Sequence, residues 1–155
     1  MTLSQARVVA RVLLQNKQRI EHQIRMEEKR FGNTIIACHN SLMSADAIID
    51  RVINLMERKD KLIVLNNRIE QLVANMPSKA AELIRFFCFG DESIIPKVSM
   101  RTAKQQLQRA IDLFAERMEN IGINKITFTE ILKMYPNAFE MPSGPTQQTE
   151  EGKLN

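Results

Sequence analysis

Three residues of this chain could be considered together as metal ligands. They are His22, Cys38 and His39. Adjacent residues such as Cys38 and His39 aim their side chains in different directions, and no fourth ligand is spaced to join the set. We therefore interpret His22 as a surface residue and the Cys-His pair as a helix boundary, and expect no metal.

Two carboxylate pairs, Glu27-Glu28 and Glu116-Glu119, have the residue types for general acid-base chemistry. Both pairs lie in charged amphipathic stretches, where acidic side chains usually form a solvated face. The sequence has no Gly-rich phosphate loop, no HExxH and no GxSxG. We expect no enzyme activity, no cofactor and no small-molecule substrate.

Composition and charge favour a helical protein of the cytoplasm. The chain has 155 residues, 44% of them hydrophobic but only 5% aromatic, with no Trp. No run of apolar residues is long enough to cross a membrane, and the lone Cys38 and Cys88 read as reduced thiols. The net charge is +4, and basic residues are concentrated in the first 31 positions. Electrostatic attraction to nucleic acid would therefore involve mainly the N-terminal helix.

The first element is a long helix that begins at a capping box of Thr2 and Gln5 and ends at Gly32-Asn33. One side of this helix is apolar and the other is polar and basic. The apolar side consists of Val9, Leu13, Ile20, Ile24 and Phe31. The opposite side consists of Arg7, Arg11, Gln18, His22, Arg25 and Lys29. Of these, Arg7, Arg11, Arg25 and Lys29 are candidate contacts for phosphates or for an acidic partner.

The second element is a helix that Ser44 caps and that continues to about Asn75. Its apolar positions recur at alternating steps of four and three, a heptad seam that Lys59 and Asn66 interrupt. Polar residues in such a seam commonly select one register or oligomer. The candidate seam residues are Val52, Leu55, Lys59, Leu62, Asn66 and Ile69. A second apolar row, Ile49, Ile53, Met56 and Ile63, broadens this face toward another surface, such as a second copy.

Met76-Pro77 ends the second helix and begins a smaller module. We expect a short buried helix over 78–89, a turn over 90–98, and a helix that Ser99 caps and Gly122 stops. A last short helix with Thr127 or Thr129 as its cap ends near Pro136. The predicted organisation is all-α, with a helical hairpin or coiled coil over 1–75, the module over 76–140 and a disordered tail over 141–155.

A set of residues in this module follows a recognisable order. Met76-Pro77 precede the short helix, and Ser99 with Thr102 three positions later opens the long one. Further along stand Leu107, Arg109, Ala110 and Ile111. In this order, residues 76–122 resemble the helix-turn-helix of the promoter-reading C-terminal domain of bacterial sigma factors, and sigma-like late-transcription regulators of phages of Gram-positive bacteria. Here the segment between Gly90 and Ser99 is several residues shorter than in that family and contains Pro96.

The resemblance implies a DNA-binding transcription regulator whose recognition helix spans 99–121, with its N-terminal turns in the major groove. The side chains it would use point away from the apolar stripe of that helix and are of types that contact phosphates and base edges. They are Arg101, Thr102, Lys104, Gln105 and Gln108. The hairpin would then serve for dimerisation or for contact with RNA polymerase.

A second interpretation stays open. The chain could instead be a non-catalytic coiled-coil interaction protein that retains a degenerate helix-turn-helix and modulates another protein. Loss of the basic groups on residues 99–109 would separate the two, because only the first interpretation requires them.

Overall fold

The computed structural model describes residues 1–140. These residues form six α-helices and two short 3-10 helices, with no β-strand among them. The α-helices are α1 (Leu3–Gln15), α2 (Lys17–His39), α3 (Ala45–Ala74), α4 (Ser78–Phe87), α5 (Met100–Arg117) and α6 (Lys125–Met134). The 3-10 helices are Met118–Ile121 and Pro136–Ala138. The all-α class expected from composition and periodicity is confirmed. The expected tail over 141–155 lies outside the described residues.

The first helix begins where the sequence predicts, but its continuity and its end were predicted wrongly. The Thr2 hydroxyl accepts a hydrogen bond from the Gln5 backbone and the Gln5 side chain accepts one from Thr2, which completes the capping box. Asn16 then separates α1 from α2. Its side-chain amide nitrogen does not point to solvent but donates hydrogen bonds to the Val12 and Glu140 carbonyls. Backbone bonding nevertheless continues across Asn16, whose carbonyl accepts from the Ile20 N–H.

Gly32 does not end α2, which continues to His39. A glycine inside a helix costs about 1 kcal/mol relative to alanine, which the packing of neighbouring turns can offset. On either side of Gly32, Phe31 is half-buried beneath the Lys59 side chain of α3, and Cys38 is buried. Contact with α3 therefore overrides the local stop signal.

The remaining helix ends are mostly as predicted. Ser44 and Ser99 accept hydrogen bonds from the Ala47 and Thr102 backbones at the starts of α3 and α5. Gly122 ends the helical region at φ +82°, the left-handed conformation that favours glycine. The cap of α6 was predicted wrongly, since Asn124 accepts from the Thr127 N–H at 2.9 Å. Threonine 127 is the donor in that cap.

A hydrophobic core holds the two ends of the described part of the chain together. Its buried members come from α1, the start of α2, the second half of α3, and α4 to α6. Leu13, Leu62 and Phe114 are fully buried there. The core therefore draws on both sides of the 75/76 boundary expected from the sequence, and that boundary stays a prediction.

The hairpin of α2 and α3 extends beyond this core. Within residues 1–140, no member of the core lies between Ile24 and Leu62. The part of α2 beyond Ile24 has 15 residues, which at 1.5 Å per residue is about 22 Å of helix. We call residues 25–61 the hairpin tip. Its two helices pack mainly on each other, so much of their outer surface is exposed.

Candidate functional site

The exposed face of α5 carries the side chains that the sequence assigns to DNA. Ala110, Ile111 and Phe114 turn the opposite face into the core, which leaves a polar side of the helix in solvent. Arg101, Lys104, Gln105 and Gln108 are all exposed on that side. Their orientation away from the core is confirmed, whereas their role in binding stays a prediction.

Thr102 differs from the other four residues. Its backbone N–H donates to the Ser99 hydroxyl at 3.3 Å, and its own hydroxyl accepts from Ser99 at 2.9 Å. The side chain is half-buried. Thr102 therefore closes the first turn of α5, and its polar group already has a partner.

Helix α1 lies antiparallel along α5, a contact that the sequence analysis did not anticipate. Arg11 Nη2 donates to Gln108 Oε1 at 3.2 Å. Arg7 Nε lies 3.5 Å from Asp112 Oδ1, and the N-terminal ammonium lies 3.2 Å from Glu119 Oε1. As the residue number rises along α1, the number of its partner on α5 falls. The basic side of α1 thus borders the polar face of α5.

Positive charge on this shared face is concentrated at the N-terminal half of α5. Arg101, Lys104 and Arg109 are exposed there, and Arg11 joins them from α1. The positive end of the α5 dipole adds to the potential at this end. Farther along, Asp112 partly neutralises Arg7. We call Arg11, Arg101, Lys104, Gln105, Gln108 and Arg109 the α1/α5 face.

The sequence analysis did not include Arg109 among the candidate site residues. Arg109 was noted only as part of the resemblance, where it precedes the buried Ala110. The 100° spacing of a helix places it about 80° from Arg101 and therefore on the solvent side. The same periodicity that selected Lys104 and Gln105 could have identified it.

Arg25 and Lys29 do not join the α1/α5 face, because they lie on α2 beyond Asn16. Both are exposed. Lys29 instead lines an open cleft of about 730 Å³ along the hairpin, together with Arg30 and Arg51. The basic stripe expected along one helix is therefore divided between two surfaces of the molecule.

The predicted seam of α3 is used largely within the chain itself. Leu62 and Ile69 are fully buried in the core, and the Lys59 ammonium lies 4.8 Å from the centre of the Phe31 ring. Val52, Leu55 and Asn66 are half-buried. Lys59 thus contacts α2, while a role of the polar positions in selecting a register or in self-association stays a prediction.

A buried lysine, which no sequence pattern predicted, lies at the start of α2. The Lys17 side chain is 1% exposed; it donates to Glu70 Oε1 at 3.0 Å and to Glu21 one turn away. Its ammonium also lies 4.9 Å from the centre of the Phe89 ring. These partners compensate the charge that burial removes from water. Lys17 therefore fixes α2 against α3 and the end of α4.

Asn16, next to Lys17, holds the end of the described chain. Its amide nitrogen donates to the Glu140 carbonyl at 3.0 Å, and its amide oxygen accepts from the Glu140 N–H at 2.9 Å. Arg19 adds an ion pair of 2.8 Å to the Glu140 carboxylate. This junction joins positions 124 residues apart in sequence, and its groups are satisfied by one another.

The side chains that could suggest catalysis are dispersed. Glu27 is buried and accepts from Gln23, while Glu119 pairs with the N-terminal ammonium. Burial, with a smaller contribution from Glu27, raises the pKa of Tyr135, although Arg58 acts in the opposite direction. The Tyr135 phenol thus ionises less readily than that of an ordinary tyrosine. Cys38 is buried and His39 is exposed. No three His, Cys, Asp or Glu side chains within residues 1–140 are grouped to hold a metal ion.

The outer surface of the hairpin tip is the second unusual feature of the molecule. Large apolar side chains are exposed there on both helices and on the connection between them. They are Met26, Ile35, Ile36, Leu42, Met43, Ile49, Ile53 and Met56. All eight side chains lie in one segment of the chain, and grouped exposed apolar residues mark binding sites more often than isolated ones do.

Known proteins give no further guide to these surfaces. Across the helices of the described region, none is both long and apolar enough to cross a membrane. Comparison of the chain with protein families, with curated proteins and with solved structures found no match.

Proposed function

We propose that this protein is a DNA-binding transcription regulator of the sigma-like type, with α5 as its recognition helix. The observation that carries the proposal is the alignment of α1 beside α5, which adds Arg11 to the positive groups of α5. Phosphate contacts by arginine and lysine supply most of the affinity of such proteins. Arg101 and Lys104 lie in the first turns of α5 and would approach the groove, and Arg11 would lie at its flank. Gln105 and Gln108 have amides suited to base edges.

The test is binding of labelled duplex DNA, including the upstream region of the gene itself and a promoter panel, over a range of salt concentrations. We expect Arg101→Ala and Lys104→Ala each to weaken binding and to reduce the slope of log affinity against log salt by about 1. Arg11→Ala should act in the same direction. Lys133→Ala, which removes an exposed lysine from α6, is the control and should leave the slope unchanged. Absence of binding by the wild-type protein at low salt would refute the proposal.

A second candidate function is non-catalytic binding of another protein through the hairpin tip. The exposed apolar side chains of both tip helices favour it. In this case Arg101→Ala and Lys104→Ala would retain activity in the native host, and Ile53→Asp would abolish it. Ile53 suits this test better than the seam residue Leu62, whose burial means that an aspartate there would unfold the protein.

A further inference from the structure

An apolar row runs along the outer side of α3 in the hairpin tip. It consists of Ile49, Ile53 and Met56, which are 52%, 47% and 43% exposed. Steps of four and three residues keep such positions on one side of a helix. The same spacing continues to Asp60 and Ile63. Helix α3 therefore offers a second heptad row beside the one that packs on α2.

Four acidic residues border this row on one side. Measured at 100° per residue from Ile49, Asp46, Asp50, Glu57 and Asp60 all lie within about 100° of the row. All four are exposed. On a chain of net charge +4, this concentration of negative charge is local to one helix face.

Besides Lys61, which pairs with Glu130 of α6, three basic residues lie in the same part of α3 and are directed or engaged elsewhere. Arg51 lines the cleft on the other side of the hairpin. Arg58 Nη2 donates to the Met134 carbonyl at 3.0 Å, and Lys59 lies over the Phe31 ring of α2. None of the three neutralises the acidic border. We call the row with its four acidic neighbours the acidic face of α3.

We propose that the acidic face of α3 is a docking surface for a basic amphipathic helix of another protein. An apolar row of such a helix would cover Ile49, Ile53 and Met56, and lysine or arginine on its flanks would meet the four carboxylates. Complementary charges of this kind select the partner and accelerate association. The row from Ile49 to Asp60 extends over about 16 Å, which corresponds to three turns and to a partner segment of about 12 residues.

A second copy of this chain fits the acidic face less well. Pairing α3 with α3 would bring eight carboxylates into one interface, and like charges placed opposite each other oppose association. The basic residues of α2 in the tip are Arg25, Lys29 and Arg30. Lys29 and Arg30 line the cleft with Arg51, on the other side of the hairpin from the row. The charge balance therefore favours a partner that is more basic than the protein itself.

This inference rests on the second candidate function and does not depend on DNA binding by α5. The experiment measures the fluorescence anisotropy of three labelled helical peptides against the full-length protein. The peptides share one apolar heptad row, and their flanking positions are lysine, glutamine or glutamate. We expect the lysine peptide to bind at least tenfold more tightly than the glutamate peptide, with the glutamine peptide between them.

Variants assign the binding to the acidic face. Ile53→Asp should weaken the lysine peptide at least tenfold, and the double variant Asp50→Lys with Glu57→Lys should reverse the preference so that the glutamate peptide binds more tightly. These side chains are exposed, so the fold should persist, and circular dichroism checks this. The controls are Ile126→Asp, at a 79% exposed isoleucine of α6, and Glu92→Lys. Both should bind the lysine peptide as the wild type does.

The other outcomes are distinct from one another. If all three peptides bind equally, the tip binds protein but the charge inference is overturned. If none binds, the inference is overturned, while the second candidate function is judged separately by the activity of Ile53→Asp in the native host. If sedimentation shows a dimer that Ile53→Asp dissociates, the face is an interface between copies, and the proposal of a basic partner is overturned.

Discussion

Replacing Gly32 with alanine tests the continuity of α2, on which the hairpin tip depends. Gly32 lies inside the helix, and a Cβ added there meets no other atom within 4 Å. Alanine would therefore gain helix propensity without a steric cost. We expect Gly32→Ala to raise the free energy of unfolding by about 0.5–1 kcal/mol. For a chain of this length that corresponds to a rise in melting temperature of about 1–4 °C.

Gly122→Ala is the matched control, because the same substitution should have the opposite effect. Gly122 has a φ of +82°, and an added Cβ would lie 3.1 Å from the Arg68 guanidinium, which donates to the Gly122 carbonyl. An alanine forced into left-handed backbone costs about 1–2 kcal/mol. Gly122→Ala should therefore lower the free energy of unfolding by at least that amount.

The assay is urea unfolding followed by circular dichroism at 222 nm, combined with amide hydrogen exchange. Exchange over residues 28–39 reports α2 even if the hairpin tip opens without global unfolding. Slower exchange there is expected for Gly32→Ala. If the helix instead ended at Gly32 in a left-handed cap, as the local sequence suggests, alanine would destabilise the protein and accelerate exchange. That result, or exchange identical to the wild type, would refute the account of α2.

Three further predictions concern buried groups. Lys17→Met should change the free energy of unfolding by less than about 1.5 kcal/mol in urea unfolding, since the apolar side chain has a similar volume. Lys17→Ala should lower the free energy of unfolding by about 2–4 kcal/mol, because it leaves a cavity. Equal losses for the two variants would contradict the packing role of Lys17. Asn16→Ala should lower the free energy of unfolding by about 1–3 kcal/mol, because it leaves the Glu140 backbone N–H and carbonyl without these hydrogen bonds. An unchanged free energy of unfolding would exclude a stabilising role for the contact between Asn16 and Glu140. Burial raises the pKa of the Cys88 thiol from its ordinary 9.0 to about 11, so iodoacetamide at pH 8 should label Cys88 only after unfolding, as mass spectrometry would show. Because the unfolded thiol ionises at the lower pH, the contribution of Cys88 to stability is present below about pH 9 and is lost as the pH rises toward 11. Rapid labelling of Cys88 in the folded protein would contradict its burial.

Local signals explain the elements that the sequence predicted well. Ser44 and Ser99 cap helices because a hydroxyl three residues before a free backbone N–H can accept its hydrogen bond. Gly122 ends a helical region because only glycine adopts its φ without strain. The 3.6-residue period likewise determined which residues of α5 face solvent. Each of these features depends on neighbours within one or two turns, so the sequence alone was sufficient.

Signals of the same local kind failed where distant contacts compete with them. The glycine at 32 resembles a helix stop, but the packing of α2 on α3 carries the helix past it. Asn16 resembles an ordinary polar residue, yet it pairs with the backbone of Glu140 and separates two helices. Lys17 is buried beside Glu70 of α3. The position of Lys17 within its own helix does not predict this contact with another helix.

For each of the two candidate binding surfaces, local sequence determined some features and tertiary packing determined others. The sequence by itself determined the apolar row and the acidic neighbours on α3, and the basic and amide side chains on α5, because helical periodicity places them. Only the tertiary structure decided that α1 lies along α5 and that Arg25 and Lys29 lie outside the α1/α5 face. It also decided that the hairpin tip extends beyond the core and leaves Ile49, Ile53 and Met56 exposed. Which helices become neighbours depends on the packing of the whole core, and the contact of Arg11 with Gln108 spans 97 residues.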